Sequence, residues 1–139
     1  MNTEVVDVWN AVLAKEARSG VASLSPNERT IYFVNRFICD FSNGGLSGFL
    51  YNLSPEWASL GSFEEEIRRV GCDSIATVIA DVRTVFQKAA ALEVQKETWS
   101  AYLTRLDPTQ TLSILNLKLS GADGELWECL ETFTKEMPR

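Results

Sequence analysis

From Ile75 to Ala89 the apolar side chains recur at intervals of three and four: Ile75, Val78, Ile79, Val82, Phe86 and Ala89. That period gathers them on one face of an α-helix; a strand alternates its faces every second residue and cannot use it. The same spacing returns along most of the chain. Val5, Val6, Trp9, Val12, Leu13 and Ala17 mark an amphipathic helix over 3–18, ended by Gly20. A second helix runs to about Ser42, striped by Ile31, Val34, Ile38 and Phe41 and widened by Phe37. Ser25-Pro26-Asn27-Glu28 opens it, with Ser25 as N-cap, Pro26 at the first helical position and Glu28 completing a capping box. Arg36 and Asp40, four apart, can pair on its exposed side.

Asn43-Gly44-Gly45 is expected to stop that helix, because glycine accepts the positive φ found after a helix end. A short helical piece from Leu46 to Leu53 follows, and Ser54-Pro55 starts another turn that holds Trp57 and Leu60. Ser62 with Glu65 predicts a second capping box, for a helix over 63–70 closed by Gly71, and Asp73 can cap the strongly periodic helix after it. Trp99, Tyr102, Leu103 and Leu106 predict a helix stopped by Asp107-Pro108. Residues 110–120 fit two patterns: Leu115, Leu117 and Leu119 alternate like a strand, while Leu112, Leu115 and Leu119 fit a helix. A lone strand has no partner, so helix is preferred. Gly121-Ala122-Asp123-Gly124 reads as a turn, and a last helix over about 124–136 buries Leu126, Trp127, Leu130 and Phe133. The expected fold is all-α, one compact bundle of six to eight helices forming a single domain over residues 1–139.

The chain contains no histidine. That excludes Ser-His-Asp and Cys-His nucleophile chemistry, histidine-containing zinc sites and an imidazole pH switch. Acid–base chemistry would fall to carboxylates, lysine or tyrosine. Three cysteines, Cys39, Cys72 and Cys129, form no CxxC and no even set, and are expected to be reduced, inert thiols of a cytoplasmic protein. No signal peptide or membrane span is read, and no metal or cofactor is expected. The net charge of −6 argues against direct binding of nucleic acid or of an anionic membrane.

Few constellations suggest chemistry. Asn43-Gly44-Gly45 is no phosphate loop, since no Gly-Lys-Ser/Thr follows and a helix precedes it. Glu64-Glu65-Glu66 cannot converge on one ion, because consecutive helical side chains point about 100° apart; they suit a helix N-terminus, with Arg68 and Arg69 as partners. Trp9, Trp57, Trp99 and Trp127 each sit at a core phase of their own segment. The acid is uneven: residues 123–139 hold five acids against two bases, half of the net excess. Asp123, Glu125, Glu128 and Glu131 are expected on one broad face, opposite Leu126, Leu130 and Phe133. Such a face is either solvated surface or a docking site for a basic partner, with Glu64 and Glu65 as a second patch.

The stretch from Ile38 to Asn52 resembles the signature of the DNA mimic protein 19-like family, small all-helical bacterial proteins mostly without an assigned activity. Asp40, Asn43, Gly44, Gly45, Phe49 and Asn52 match it. Glu28-Arg29 with Tyr32, and Gly71 ahead of the long helix, also resemble the family, so the likeness covers about residues 24–107. Leu46 stands where an aromatic residue is usual and Gly48 where glutamine is usual. The resemblance implies the helical fold. In one branch of the family it implies DNA mimicry, in which carboxylates imitate the phosphates of a duplex.

Three functions are weighed. The first is a non-enzymatic acidic protein that binds a basic protein, in its sharper form a DNA mimic in the basic site of a DNA-binding protein or transcription factor. A homodimer would double its charge and align two acidic faces. The second is a helical immunity-type or structural interaction module whose partner is not basic. The third is an enzyme using Asp40 and Glu28 as acid–base carboxylates.

Overall fold

The computed structural model describes residues 3–54, 56–87 and 98–138. Among them lie seven α-helices: α1 (Thr3–Ser19), α2 (Pro26–Leu53), α3 (Leu60–Arg69), α4 (Asp73–Phe86), α5 (Trp99–Leu106), α6 (Thr111–Lys118) and α7 (Ala122–Lys135). Single 3-10 turns at Val21–Ser23 and Trp57–Ser59 join three of them, and no strand occurs among the described residues. The protein is an all-α bundle, and 110–120 is helical.

The long α2 is the axis of the bundle. Its entry follows from three residues. Glu28 N–H donates to Ser25 Oγ at 3.2 Å and Ser25 N–H donates to Glu28 Oε1 at 2.9 Å. Lys15 of α1 donates to the same Oε1 at 2.8 Å, which ties α1 to the start of α2. Burial on α2 exceeds a stripe: Thr30, Ile31, Tyr32, Phe33, Val34 and Asn35 are all buried in succession. Helices α1, α3, α6 and α7 each pack against α2, and its stretch from Thr30 to Ile38 is almost wholly covered, whereas Cys39 and Ser42 to Gly44 are exposed. Three edge-to-face contacts, Phe33–Phe63, Phe63–Phe49 and Phe49–Phe37, each with centroids 4.9 Å apart, run through the core from α2 to α3 and back. Edge-on geometry sets the positive rim of one ring against the negative face of the next.

Several local expectations are corrected. Ser62 caps no helix: α3 begins at Leu60, and the Ser62 hydroxyl accepts a hydrogen bond from Arg29 Nη2 at 3.0 Å. Asp73 is the first residue of α4, preceded by Cys72 at the cap position. The turn expected over 121–124 shrinks to Gly121, at φ 77°, and α7 starts at once with Ala122. Of the four tryptophans only Trp9 is fully buried; its Nε1 donates to Thr134 Oγ1 of α7 at 2.8 Å. Trp57 and Trp99 lie half-buried and stacked at 6.0 Å, each also stacked on Tyr102.

The acidic triplet of α3 is divided three ways by helical geometry. Glu65 points to solvent, Glu64 is half-buried, and Glu66 is buried. Glu66 accepts from the Thr30 hydroxyl at 3.1 Å and faces Arg29 Nε at 3.4 Å. Arg69 pairs with none of the triplet; it donates to the Pro26 carbonyl and the Thr30 hydroxyl instead. A buried carboxylate needs such partners, and here they fix α3 against the first turns of α2.

Lys15, and then the Ser25 backbone N–H, hold Glu28 below the usual carboxylate range. Its stabilising contribution is therefore present above the ordinary value of 4.5 and is lost as pH falls through the lower folded value. Glu28→Gln keeps an acceptor for the cap but loses the charge. It should lower the melting temperature by about 2 °C near neutral pH and by almost nothing near pH 3. Equal losses at both pH values in calorimetry would contradict this account of the cap.

Candidate docking face and the Asn-Gly-Gly elbow

Asn43-Gly44-Gly45 ends the first helical half of α2, as expected, and the piece from Leu46 to Leu53 follows it directly. Asn43 and Gly44 stay helical, and only Gly45 leaves the helical region, at φ 64° and ψ −163°. That combination is open essentially to glycine alone. A helix resumes at Leu46, so the motif is a one-residue elbow that joins two helical halves with no loop between them.

An elbow of this kind strands a donor. In an unbroken helix the Leu46 N–H would donate four residues back, to Ser42. Instead it donates to Asn116 Oδ1 of α6 at 3.0 Å. The same oxygen would lie 3.2 Å from a Cβ at position 45, so α6 sits against the bare face of the glycine. Two further residues brace the outside: Asn52 Nδ2 donates to Asp40 Oδ1 at 3.2 Å, joining the two halves of α2 across the bend. Arg36 lies 3.9 Å from the other Asp40 oxygen. Phe49 locks the second half inside the core, fully buried between Phe37 and Phe63. Asp40, Gly45, Phe49 and Asn52 thus serve architecture.

Asn43 and Gly44 lie on the exposed side of the elbow, between two open grooves. One, of about 410 Å³, is lined by Ile38, Cys39, Ser42, Asn43, Asp123 and Trp127. The other, of about 510 Å³, has Gly44, Leu46, Leu50, Leu103, Leu112 and Asn116 on its walls. Glu28 and Asp40 do not converge on either. They lie on one helix, about 18 Å apart along its axis, each held in the contacts given above. Among the described residues no group of three or more cysteine, aspartate or glutamate side chains is arranged to hold a metal ion.

The acids of α7 do not share one face. Asp123 turns towards α2, where its Oδ2 accepts from the Ser42 hydroxyl at 2.9 Å. Glu131 is half-buried and pairs with Lys135 at 3.0 Å. Glu125 and Glu128 are exposed and enter none of the ion pairs of the described residues. Helical rotation explains the split: positions 125 and 128 lie about 60° apart around the helix, whereas 123 is about 160° from 125. In the second patch Glu64 is engaged by Arg68 at 3.7 Å and Arg83 at 2.8 Å, which leaves only Glu65 free on that surface. The exposed acid is thus narrower than the charge count implies.

The structure also places features that no local spacing signals. Tyr51, Ile114 and Leu117 are large apolar side chains left exposed, Leu117 at 74%. Cys72 and Cys129 meet although they are 57 residues apart.

The fold and the elbow define a small all-α protein whose central helix is bent at a glycine and latched by a neighbouring helix. The sequence profile of the DMP19-like protein family matches residues 22–137, and the chain belongs to that family. No curated protein and no solved structure matches it.

The two glycines of the elbow should separate cleanly. Gly45→Ala meets both the forbidden backbone region and Asn116, and should destabilise by about 2 kcal/mol. Gly44→Ala has open space around its Cβ and helical backbone, and should be neutral or stabilising by about 0.5 kcal/mol. Urea melts of the two variants check this; equal effects would remove the elbow from the account.

Proposed function

We propose that this protein is a non-enzymatic binding protein that docks a basic protein surface on the outer face of α7. The observation that carries this reading is the pair Glu125 and Glu128, exposed and unpaired on a helix whose inner residues Leu126 and Leu130 are buried. The net charge of −6 supports it by favouring long-range attraction to a cationic partner. A non-catalytic reading is supported by Glu28 and Asp40, each held in a structural contact far from the other.

In its narrower form the partner is a DNA-binding protein, and the carboxylates stand in for phosphates. Family membership supports this form. The engagement of Glu28, Asp40, Glu64, Glu66, Asp73 and Glu131 in ion pairs thins the array that could imitate a duplex. A second copy of the chain could supply the missing density, because symmetry would repeat the same acidic face.

One observation favours the alternative of a non-basic partner: the exposed apolar side chains Tyr51, Ile114 and Leu117. Exposed aliphatic residues on a short helix suit an interface closed by apolar contact.

The two forms predict opposite responses. With a partner purified from the source cell, Glu125→Lys combined with Glu128→Lys should weaken binding at least tenfold at low salt, with the melting temperature nearly unchanged because exposed charges add little stability. Leu117→Ser should leave affinity intact. If Leu117→Ser abolishes binding and charge reversal does not, the partner is apolar and the basic-docking reading fails.

A further inference from the structure

Two of the three free thiols are placed together. Cys72 Sγ lies 2.9 Å from Cys129 Sγ, closer than van der Waals contact between sulfurs, across 57 residues of chain. Cys72 occupies the position just before α4 and is buried. Cys129 is half-buried on α7, between the exposed positions Glu125, Glu128 and Thr132 and the core positions Leu126 and Leu130. The third thiol, Cys39, is exposed on α2 and its sulfur faces Asn35 Oδ1 at 3.5 Å.

We propose that Cys72 and Cys129 are an oxidative modification site: a peroxide converts them into one intramolecular disulfide without rearranging the fold. To reach bonding distance the sulfurs need approach by only about 0.9 Å, within the reach of small side-chain rotations. The chemistry has an order set by exposure. The half-buried Cys129, as thiolate, attacks one oxygen of hydrogen peroxide; the O–O bond breaks, and Cys129 becomes a sulfenic acid as hydroxide leaves and takes up a proton to form water. Cys72 sulfur then attacks the Cys129 sulfur. The S–S bond forms, the S–O bond breaks, and the departing hydroxide takes the Cys72 proton as a second water. Two thiols are oxidised by two electrons and one peroxide is reduced to two waters.

Burial, and then the neighbouring Cys129, push the Cys72 thiol up to about 12. Cys72 is therefore not the thiol that meets the peroxide first, and in the second step it must give up its proton to the leaving hydroxide as its sulfur attacks. The consequence is mechanical. α4 packs chiefly on α3 and α6, and α7 packs chiefly on α2 and α1. A bond between Cys72 and Cys129 would tie these two groups directly and fix the helix that carries Glu125 and Glu128.

The test uses the full chain with Cys39→Ser, which removes crosslinking through the exposed thiol. After hydrogen peroxide treatment, alkylation under denaturing conditions should add no label, and a Cys72–Cys129 linked peptide should appear in digests. After dithiothreitol two labels should return. The melting temperature of the oxidised form should rise by about 10 °C and fall back on reduction. Cys129→Ser in the same background, checked for folding by circular dichroism, should take up one label after peroxide and show no such rise. Two thiols still alkylated after peroxide, a crosslink between chains, separate over-oxidation of Cys129, or a fall in melting temperature on closure would each overturn the proposal.

Discussion

The Leu46 N–H decides how this bundle is put together. It is the donor stranded when α2 bends at Gly45, and in the folded chain Asn116, seventy residues away, accepts it. A buried or half-buried peptide group without a partner costs about 1–3 kcal/mol, so the bend is stable only with α6 in place. The dependence runs both ways. α6 is short, it follows a left-handed Gln110, and the buried Asp107 carboxylate accepts from its first N–H groups. Its seat against the bare Gly45 fixes the direction of the second half of α2, and with it Phe49 in the aromatic core. The Asn-Gly-Gly elbow is therefore the means by which one long helix turns a corner.

Residues engaged in the elbow are not free to meet a partner, whereas Glu125, Glu128, Leu117, Ile114 and Tyr51 are. The acids divide in the same way. Those near arginine or lysine act as internal struts: Glu28 joins α1 to α2, Glu66 joins α3 to α2, and Glu64 is shared between Arg68 and Arg83. A net charge counts struts and exposed acids alike, and only the structure separates them.

What was legible in the sequence was local. The Ser25-Pro26-Glu28 cap forms as its spacing requires, Gly20, Gly45, Gly71 and Gly121 all take positive φ, and the three-and-four period gives α4. The illegible part is what joins distant segments. Ser62 has the spacing of a cap, but α3 starts earlier because Leu60 and Phe63 both go to the core, and the hydroxyl is left for Arg29. Asp123 looks equivalent to Glu125 in composition, yet rotation about α7 turns it to Ser42. Cys72 and Cys129 look scattered until folding sets their sulfurs together, and nothing near Asn116 marks it as the acceptor for a backbone group on α2.

If the elbow is held as described, amide hydrogen exchange at Leu46 reads it directly. In the native chain the Leu46 amide should be protected like its helical neighbours. In Asn116→Ala it should exchange at least tenfold faster, while amides in the middle of α4 keep their native rates. Leu46 protection unchanged by Asn116→Ala would show that the bend is satisfied some other way, and the structural assignment of the Asn-Gly-Gly elbow would be wrong.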